Sequence, residues 1–365
     1  QIKQKLNAEV LDCLDSADYI LGQKVFELED KLAKYVGVKE CITCASGTDA
    51  LLISLMSHNI GLNDAVFTTN FSFFATAEVI PQVGATPIFV DIDKRTFNID
   101  ADLLELEIKK TINKKKLKPK AIISVDLFGQ LADYKKIEKI AEKYNLLLIQ
   151  DAAQSFGATF KKRKSCSFGN MAATSFYPAK PLGCYGDGGA IFTNNDRLAE
   201  KIRMIVNHGE NKRYHHKVIG CNSRLDSLQA VILNIKLKYL DDYNSTRRIM
   251  ADNYNMAFKN INDLQTPIEI DNSTHIYHQY TLKVLNGKRN ELKEYLQSKG
   301  IPSMIYYPIP LYKQEAFSKY VDDGYYLKNT EELSMNVLSL PIHSEIENSH
   351  QDYIIDEVIN FFKWK

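Results

Sequence analysis

The sequence predicts an α/β protein in which a large, mostly parallel sheet is flanked by helices. Short apolar runs and amphipathic helical segments alternate along the middle of the chain, and this strand–helix–strand order is typical of a parallel sheet covered on both faces. The composition is that of an ordinary globular protein, with 45% hydrophobic and 25% charged residues. A length of 365 residues favours two domains over one.

The strand predictions rest on four apolar runs that are bounded by polar or turn-forming residues. They cover residues 65–68, 88–90, 121–125 and 146–149. A helix is predicted between the last two, because apolar residues recur there at the i, i+3, i+4, i+7 spacing of one helix face. Ligands bind at the carboxyl ends of the strands in such sheets, so the residues that follow each strand are the candidates for chemistry.

The residue pattern of the chain changes after about residue 240. Long polar helical stretches give way to segments rich in tyrosine and proline, such as IYYPIPLY at residues 305–312. We therefore predict an N-terminal helix and a large domain over residues 1–240, and a smaller C-terminal α+β domain over residues 241–365.

The charge balance argues against a protein built to hold nucleic acid or an anionic membrane. Lys plus Arg is 46 and Asp plus Glu is 45, a formal net charge of +1. Residues 109–120 hold seven lysines, but no aromatic residues are interleaved, which favours a solvated helix end over a nucleic-acid patch. No apolar run approaches the ~18 residues of a spanning helix, and no signal peptide is visible.

The six cysteines are too sparse for a disulfide framework, which fits a reducing cytoplasm. Cys41 and Cys44 form a C-x-x-C pair, but the sequence has no second pair at a spacing that would complete a zinc site. We predict two small buried residues near a strand end, no metal and a cytoplasmic location.

A first candidate for chemistry is the segment SGTDA at residues 46–50, which follows a strand-like run and opens an apolar helix. Gly47 permits close approach of the backbone, and free N–H groups in the first helical turn can bind a phosphate. An ordinary helix N-cap explains the same residues.

A second candidate is Asp151, which ends the apolar run LLLIQ and is followed three residues later by Gln154. A carboxylate at the ligand edge of a sheet needs a cation or several donors to offset its desolvation. The alternative is an N-cap for the next helix.

A third candidate is Lys180, which lies in a turn after a predicted strand over residues 172–176. Pro178 and Pro181 bracket it and restrict the backbone, and several glycines follow. A rigidly held lysine beside a tight loop suits a Schiff-base amine, whereas a surface lysine remains the alternative. Together the three candidates supply what pyridoxal 5′-phosphate requires: a phosphate cradle, an acid for the pyridinium and an amine for the imine.

The chain resembles the DegT/DnrJ/StrS-type nucleotide-sugar aminotransferases over essentially its whole length. The matching segments, in order, are SGTDA, NFSFFATA, GATPIFVDID, FGQLAD, DAAQSFGA, SFYPAK, GDGGAIFTN, NHG and NSRLDSLQA. The resemblance implies fold type I of the pyridoxal-phosphate enzymes, the aspartate-aminotransferase-like fold, with pyridoxamine 5′-phosphate as intermediate.

The resemblance also implies a role for each matching residue. Lys180 would be the catalytic Schiff-base lysine and Asp151 would pair with the pyridine nitrogen. Gln154 would bind the phenolic oxygen, and Phe73 would stack on the ring unless it is a core aromatic. The phosphate would be held by the backbone of Gly47 and Thr48, the hydroxyl of Ser175, and Asn222 of a neighbouring subunit, which implies a homodimer with shared active sites.

The implied reaction transfers an amino group from L-glutamate to a nucleotide-linked keto-sugar. FYPAKPLGCYGDGG is similar to enzymes that aminate UDP-2-acetamido-2-deoxy-3-oxo-glucuronate for bacterial surface polysaccharide. Arg213 and Arg224 are candidates for a diphosphate or carboxylate, and Tyr306 and Tyr307 for the sugar pocket, although Arg224 could instead cap a helix. The alternatives are a 4-keto nucleotide sugar, a small keto phosphate, or a silent regulatory protein that binds pyridoxal phosphate.

Overall fold

A seven-stranded sheet forms the centre of the computed structural model, which describes residues 2–322 and 324–363. The strands are β1 (Glu40–Cys44), β2 (Asp64–Thr69), β3 (Thr86–Val90), β4 (Lys118–Val125), β5 (Leu147–Asp151), β6 (Thr159–Phe160), β7 (Arg163–Lys164), β8 (Met171–Ser175), β9 (Gly189–Thr193), β10 (Glu210–Lys212), β11 (His215–His216), β12 (Leu264–Gln265), β13 (Tyr280–Val284) and β14 (Val337–Leu340). The helices are α1 (Lys3–Ser16), α2 (Gln23–Val36), α3 (Gly47–Ser57), α4 (Ala75–Gln82), α5 (Ala101–Lys114), α6 (Tyr134–Lys143), α7 (Asp196–Ile205), α8 (Ser227–Lys236), α9 (Leu240–Phe258), α10 (Arg289–Ser298), α11 (Lys328–Asn336) and α12 (Asn348–Lys363).

The strand order of the central sheet is β1-β9-β8-β5-β4-β2-β3. All neighbouring pairs are parallel except the two that involve β9, which runs antiparallel to β1 and β8. The predicted class, a mostly parallel sheet flanked by helices, is confirmed. The apolar runs predicted as strands overlap β2, β3, β4 and β5, and the predicted helix overlaps α6.

Both faces of the sheet are buried, which explains why its strands read as continuous apolar runs. Ile122 and Ile123 are adjacent in β4 and both fully buried, yet they belong to separate cores on opposite faces. Helices α3, α4 and α7 cover one face, where Ala50, Val79 and Ile202 lie in the same core as Ile123.

The C-terminal part contains a second, three-stranded antiparallel sheet in the order β12-β13-β14. Its core includes Tyr254 of α9, Leu296 of α10 and Val358 of α12. The segment between α10 and α11 packs back onto the large sheet, where Phe317 contacts the rings of Phe74 and Phe89. The domain boundary between residues 240 and 241 stays a prediction, but the contacts explain how C-terminal residues reach the large sheet.

The fold places three of the predicted site residues at the carboxyl edge of the central sheet. Asp151 and Ser175 are the last residues of the neighbouring parallel strands β5 and β8, and Gly47 begins the helix that follows β1. In the part of the chain that the structure describes, no helix is long and apolar enough to cross a membrane.

Candidate active site

A cavity of about 640 Å³ opens at the carboxyl edge of the central sheet. Nine of the predicted site residues line it: Gly47, Thr48, Phe73, Asp151, Gln154, Ser175, Lys180, Tyr306 and Tyr307. The large sheet and the C-terminal segment therefore meet at this cavity.

Asp151 is a buried carboxylate on the cavity wall. Its Oδ2 accepts a hydrogen bond of 2.9 Å from the Thr76 hydroxyl, and its Oδ1 accepts one of 3.2 Å from the Ala153 N–H. Burial raises the pKa of Asp151, whereas these two donors and the nearby Lys180 lower it. A cationic ligand at this position would offset the desolvation of the carboxylate.

Lys180 lies in the loop between β8 and β9, where its N–H donates to the Tyr177 carbonyl at 2.8 Å and closes a turn. Burial lowers the pKa of the Lys180 amine, and the negative charge of Asp151 opposes that change. Its Nζ makes no hydrogen bond to the described residues. A buried amine that is deprotonated more readily than a surface lysine is suited to act as a nucleophile.

The turn before α3 packs against the end of β8 so closely that only glycine fits. A Cβ atom on Gly47 would lie 2.6 Å from the Ser175 Cβ, and one on Gly189 would lie 2.3 Å from the Ser46 carbonyl oxygen. Ser46 caps the helix, with its Oγ accepting from the Asp49 N–H at 3.0 Å. The N-cap interpretation thus holds for Ser46, while Gly47, Thr48 and Ser175 form a small polar cradle at the helix N-terminus that suits a phosphate.

The side-chain amide of Gln154 is held at both ends. Its Oε1 accepts from the Phe128 N–H at 2.6 Å, and its Nε2 donates to the Tyr307 hydroxyl at 3.2 Å. The next residue, Ser155, donates to the buried Asp126 carboxylate at 2.8 Å. These bonds hold the turn after β5 and direct the Gln154 amide towards the cavity wall.

Burial separates the three clustered phenylalanines. Phe71 is 1% exposed and belongs to a core cluster, and Phe74 packs on Phe317. Phe73 is 57% exposed, lines the cavity and lies 6.5 Å from Tyr307 between ring centroids. Phe73 is thus the one of the three whose ring is free to stack on a planar ligand.

Three predicted site residues lie outside this cavity in their own chain. Arg224 donates to Asn207 at 2.7 Å, and Arg213 lies over the ring of the exposed Tyr214. Asn222 is exposed and pairs with Asn207 in an isolated bridge. None of the three lines the cavity that contains Lys180 and Asp151.

The structure adds residues that the sequence reasoning did not single out. Thr76 lies within the segment NFSFFATA, four residues after Ser72, and the two hydroxyls are 2.9 Å apart. Ser72 lies before α4 and Thr76 in its first turn, so only the four-residue spacing of the two hydroxyl residues in the sequence could have indicated the contact. His278 and Gln279 also line the cavity, and no sequence pattern indicated them.

The two cysteines of the C-x-x-C pair are buried and free. Among the described residues, no group of three or more His, Cys, Asp or Glu side chains is placed to hold a metal ion.

These residues fit pyridoxal 5′-phosphate on the structure's own terms. The glycine-lined cradle suits a phosphate, the buried Asp151 carboxylate would be stabilised by a protonated ring nitrogen, and the Lys180 amine makes no hydrogen bond to the described residues. The buried interior wall and the exposed Phe73 ring leave room for a planar ring between them.

Comparison with known sequences gives matches along the whole chain. The profile of the DegT/DnrJ/EryC1/StrS aminotransferase family matches residues 1–359. UDP-2-acetamido-2-deoxy-3-oxo-D-glucuronate aminotransferase of Pseudomonas aeruginosa is 45% identical over 96% of this chain and 94% of its own length. The pleiotropic regulatory protein of Geobacillus stearothermophilus is 41% identical over 99% and 96%. UDP-N-acetyl-3-dehydro-alpha-D-glucosamine 3-aminotransferase of Acidithiobacillus ferrooxidans is 40% identical over 91% and 87%.

Solved structures match the fold over nearly every residue. A DegT/DnrJ/EryC1/StrS aminotransferase from Brucella abortus superposes with a TM-score of 0.95 at 44% identity, covering 99% of this chain and 96% of that one. NtdA from Bacillus subtilis, solved with bound pyridoxamine phosphate, superposes with a TM-score of 0.91 at 29% identity, covering 99% and 82%.

Proposed function

Because this chain belongs to the DegT/DnrJ/EryC1/StrS aminotransferase family, we propose that it aminates a UDP-linked 3-keto sugar, with L-glutamate as donor. The family predicted from the sequence motifs is confirmed, and the chain is a pyridoxal-phosphate-dependent sugar aminotransferase. The observation that carries the proposal is the meeting of Lys180, Asp151 and the cradle at Gly47 and Ser175 in one cavity.

The position of the keto group is inferred from two relatives. The enzymes of P. aeruginosa and A. ferrooxidans are both named for UDP-linked sugars with a 3-oxo or 3-dehydro group. The sugar in the name of the P. aeruginosa enzyme is a glucuronate, which also carries a carboxylate. A 3-oxo-glucuronate is accordingly the proposed substrate of this chain, and a role in surface polysaccharide synthesis and a cytoplasmic location are proposed with it.

The bound cofactor would supply an aldehyde that receives the donor's amino group and a ring that draws electrons from the adjacent carbon. Lys180 would hold the aldehyde until substrate arrives and would then move a proton at its freed Nζ. Asp151 would keep the ring nitrogen protonated, because its buried carboxylate is stabilised by a cation opposite it. Gln154, fixed by Phe128 and Tyr307, would donate to the phenolic oxygen.

The remaining cofactor contacts would come from the cradle and from a second subunit. The backbone N–H groups of Gly47 and Thr48 and the Ser175 hydroxyl would bind the phosphate, and Phe73 would cover the ring. Tyr306 and Tyr307 would line the sugar side. The regulatory name of one relative makes a silent binder the competing function, but a retained lysine, acid and cradle are what turnover needs.

The proposal is tested by incubating the holoenzyme with L-glutamate and a panel of 3-keto and 4-keto UDP-sugars, followed by mass spectrometry. We expect 2-oxoglutarate and an amino-sugar in equal amounts from the 3-keto uronate. Amination of the 4-keto sugars alone would overturn the proposed position. A protein that binds cofactor but converts none of them would instead be the silent binder.

Asn222 is proposed to complete the site of a partner subunit in a homodimer, since it is exposed and lies outside its own cavity. If so, a mixture of Asn222→Ala chains, weakened alone, and Lys180→Ala chains, inactive alone, should reach about one quarter of wild-type activity and exceed either variant, because random pairing leaves half the dimers mixed with one intact site each. Activity assays on refolded mixtures check this. Mixtures that stay inactive while a dimer forms would show that the site is not shared.

A further inference from the structure

Two adjacent polar side chains on the cavity wall each have one buried atom that makes no hydrogen bond to the described residues. His278 and Gln279 immediately precede β13 in the C-terminal part of the chain, and both line the cavity that contains Lys180 and Asp151. The Nδ1 atom of His278 and the Oε1 atom of Gln279 are buried without a hydrogen bond. Buried polar atoms in native proteins are nearly always paired, so an unpaired neighbouring couple beside a cavity indicates a missing ligand.

The backbone that carries the two side chains is held by hydrogen bonds and by close packing. The Gln279 N–H donates to the Phe128 carbonyl at 3.4 Å, and Arg247 donates to the His278 carbonyl, also at 3.4 Å. Gly129 packs against this backbone, because a Cβ atom on it would lie 2.9 Å from the backbone nitrogen of His278. Phe128 also anchors Gln154, so this segment is positioned against the turn that forms the predicted cofactor contact.

The chemistry of the two side chains restricts the ligand. Burial, together with the nearby Lys180 and Arg247, holds the pKa of His278 well below its usual range, so its ring is neutral and has one donor and one acceptor nitrogen. The Oε1 atom of Gln279 can only accept, so its partner must carry an O–H or N–H group. A sugar hydroxyl or acetamido group carries such a donor, whereas the ionised side-chain carboxylate of glutamate could bond only the N–H groups of the two side chains and would leave this oxygen unpaired.

We propose that His278 and Gln279 are specificity-determining residues that hydrogen-bond the hydroxyl and amide groups of the keto-sugar. This assignment rests on the proposed function, and it places part of the sugar site on the C-terminal domain, beside Tyr306 and Tyr307. Rotation about the terminal torsions, which are broad and roughly two-fold in both residue types, would turn the unpaired atoms towards the ligand. The amino donor does not need either residue.

The test compares the two half-reactions in His278→Phe and Gln279→Met, which keep the approximate shape and remove the polar atoms. The holoenzyme is mixed rapidly with L-glutamate, and the loss of cofactor absorbance reports the first half-reaction. The recovery of that absorbance with the 3-keto UDP-sugar reports the second. Titration calorimetry of the UDP-amino-sugar product into the pyridoxamine-phosphate form of the enzyme gives a binding constant that does not depend on turnover, because neither partner carries a carbonyl group to react. His350→Phe and Gln297→Met, at exposed positions, are the matched controls.

We expect each cavity variant to raise the KM for the sugar and the Kd for the product by about tenfold, the loss typical of one hydrogen bond to a neutral partner. The glutamate half-reaction and the two controls should stay near wild type. Unchanged sugar constants with an active wild-type enzyme would overturn this inference alone, as would a loss confined to the glutamate step. A wild-type enzyme that binds and converts no keto-sugar would overturn the inference and the proposed function together.

Discussion

The substitution Lys180→Ala should lower kcat by about 10⁴-fold or more, because it removes both the nucleophile and the group that moves the proton. The fold should survive, since the Lys180 Nζ makes no hydrogen bond to the described residues that the substitution would remove. Steady-state assays with glutamate and the keto-sugar measure the loss, and the melting temperature measures the fold. Lys135→Ala, at an exposed lysine on α6, is the matched control and should stay near wild type.

Two further results separate a chemical role of Lys180 from a structural one. A small primary alkylamine should restore part of the activity of Lys180→Ala, because it can enter the space that the side chain leaves and move the proton in its place. Lys180→Arg should stay inactive with or without the amine, since a guanidinium remains protonated and fills that space. Turnover retained by either variant without added amine would remove Lys180 from the reaction.

The substitution Asp151→Asn should lower kcat by about 10²–10³-fold while leaving the cofactor bound. The amide keeps an oxygen that can accept from the Thr76 hydroxyl, but it removes the negative charge that would favour a protonated ring nitrogen. The cradle at Gly47 and Ser175 and the Lys180 amine are untouched, so cofactor content should change little. Absorbance of the purified protein and steady-state kinetics check both statements.

The exposed Asp352 on α12 gives the matched control, and Asp352→Asn should have no effect on kcat. An Asp151→Asn enzyme within threefold of wild type would contradict the pairing of this carboxylate with the ring. A variant that loses the cofactor altogether would show that Asp151 acts chiefly in binding.

The sequence predicted those parts of the site that depend on local order along the chain. Asp151 and Ser175 end apolar strands, and parallel strands bring their carboxyl ends to one edge, so their proximity followed from the alternation of elements. Gly47 was similarly marked by the turn between a strand and a helix. In each case a strand, the turn that follows it and the hydrophobic pattern were sufficient to indicate that the residue lies at the ligand-binding edge of the sheet.

Other features depend on packing between distant segments, which no local pattern records. His278 and Gln279 reach the cavity because the segment before β13 packs on Gly129, more than a hundred residues earlier. The roles of Phe71 and Phe73 could not be separated in the sequence, because only the fold buries one and exposes the other. Arg213 was predicted for the substrate from its chemistry alone, and the structure places it outside its own chain's cavity.

The central claim is that the amine of Lys180 bonds covalently to the aldehyde of the cofactor, while Asp151 pairs with the ring nitrogen. It is tested most directly by reducing the holoenzyme with borohydride, digesting it and locating the phosphopyridoxyl group by peptide mass spectrometry. We expect the label on Lys180 alone, and on no peptide of Lys180→Ala prepared in the same way. A label on another lysine of the wild-type chain, or none on a protein that visibly holds the cofactor, would contradict the account.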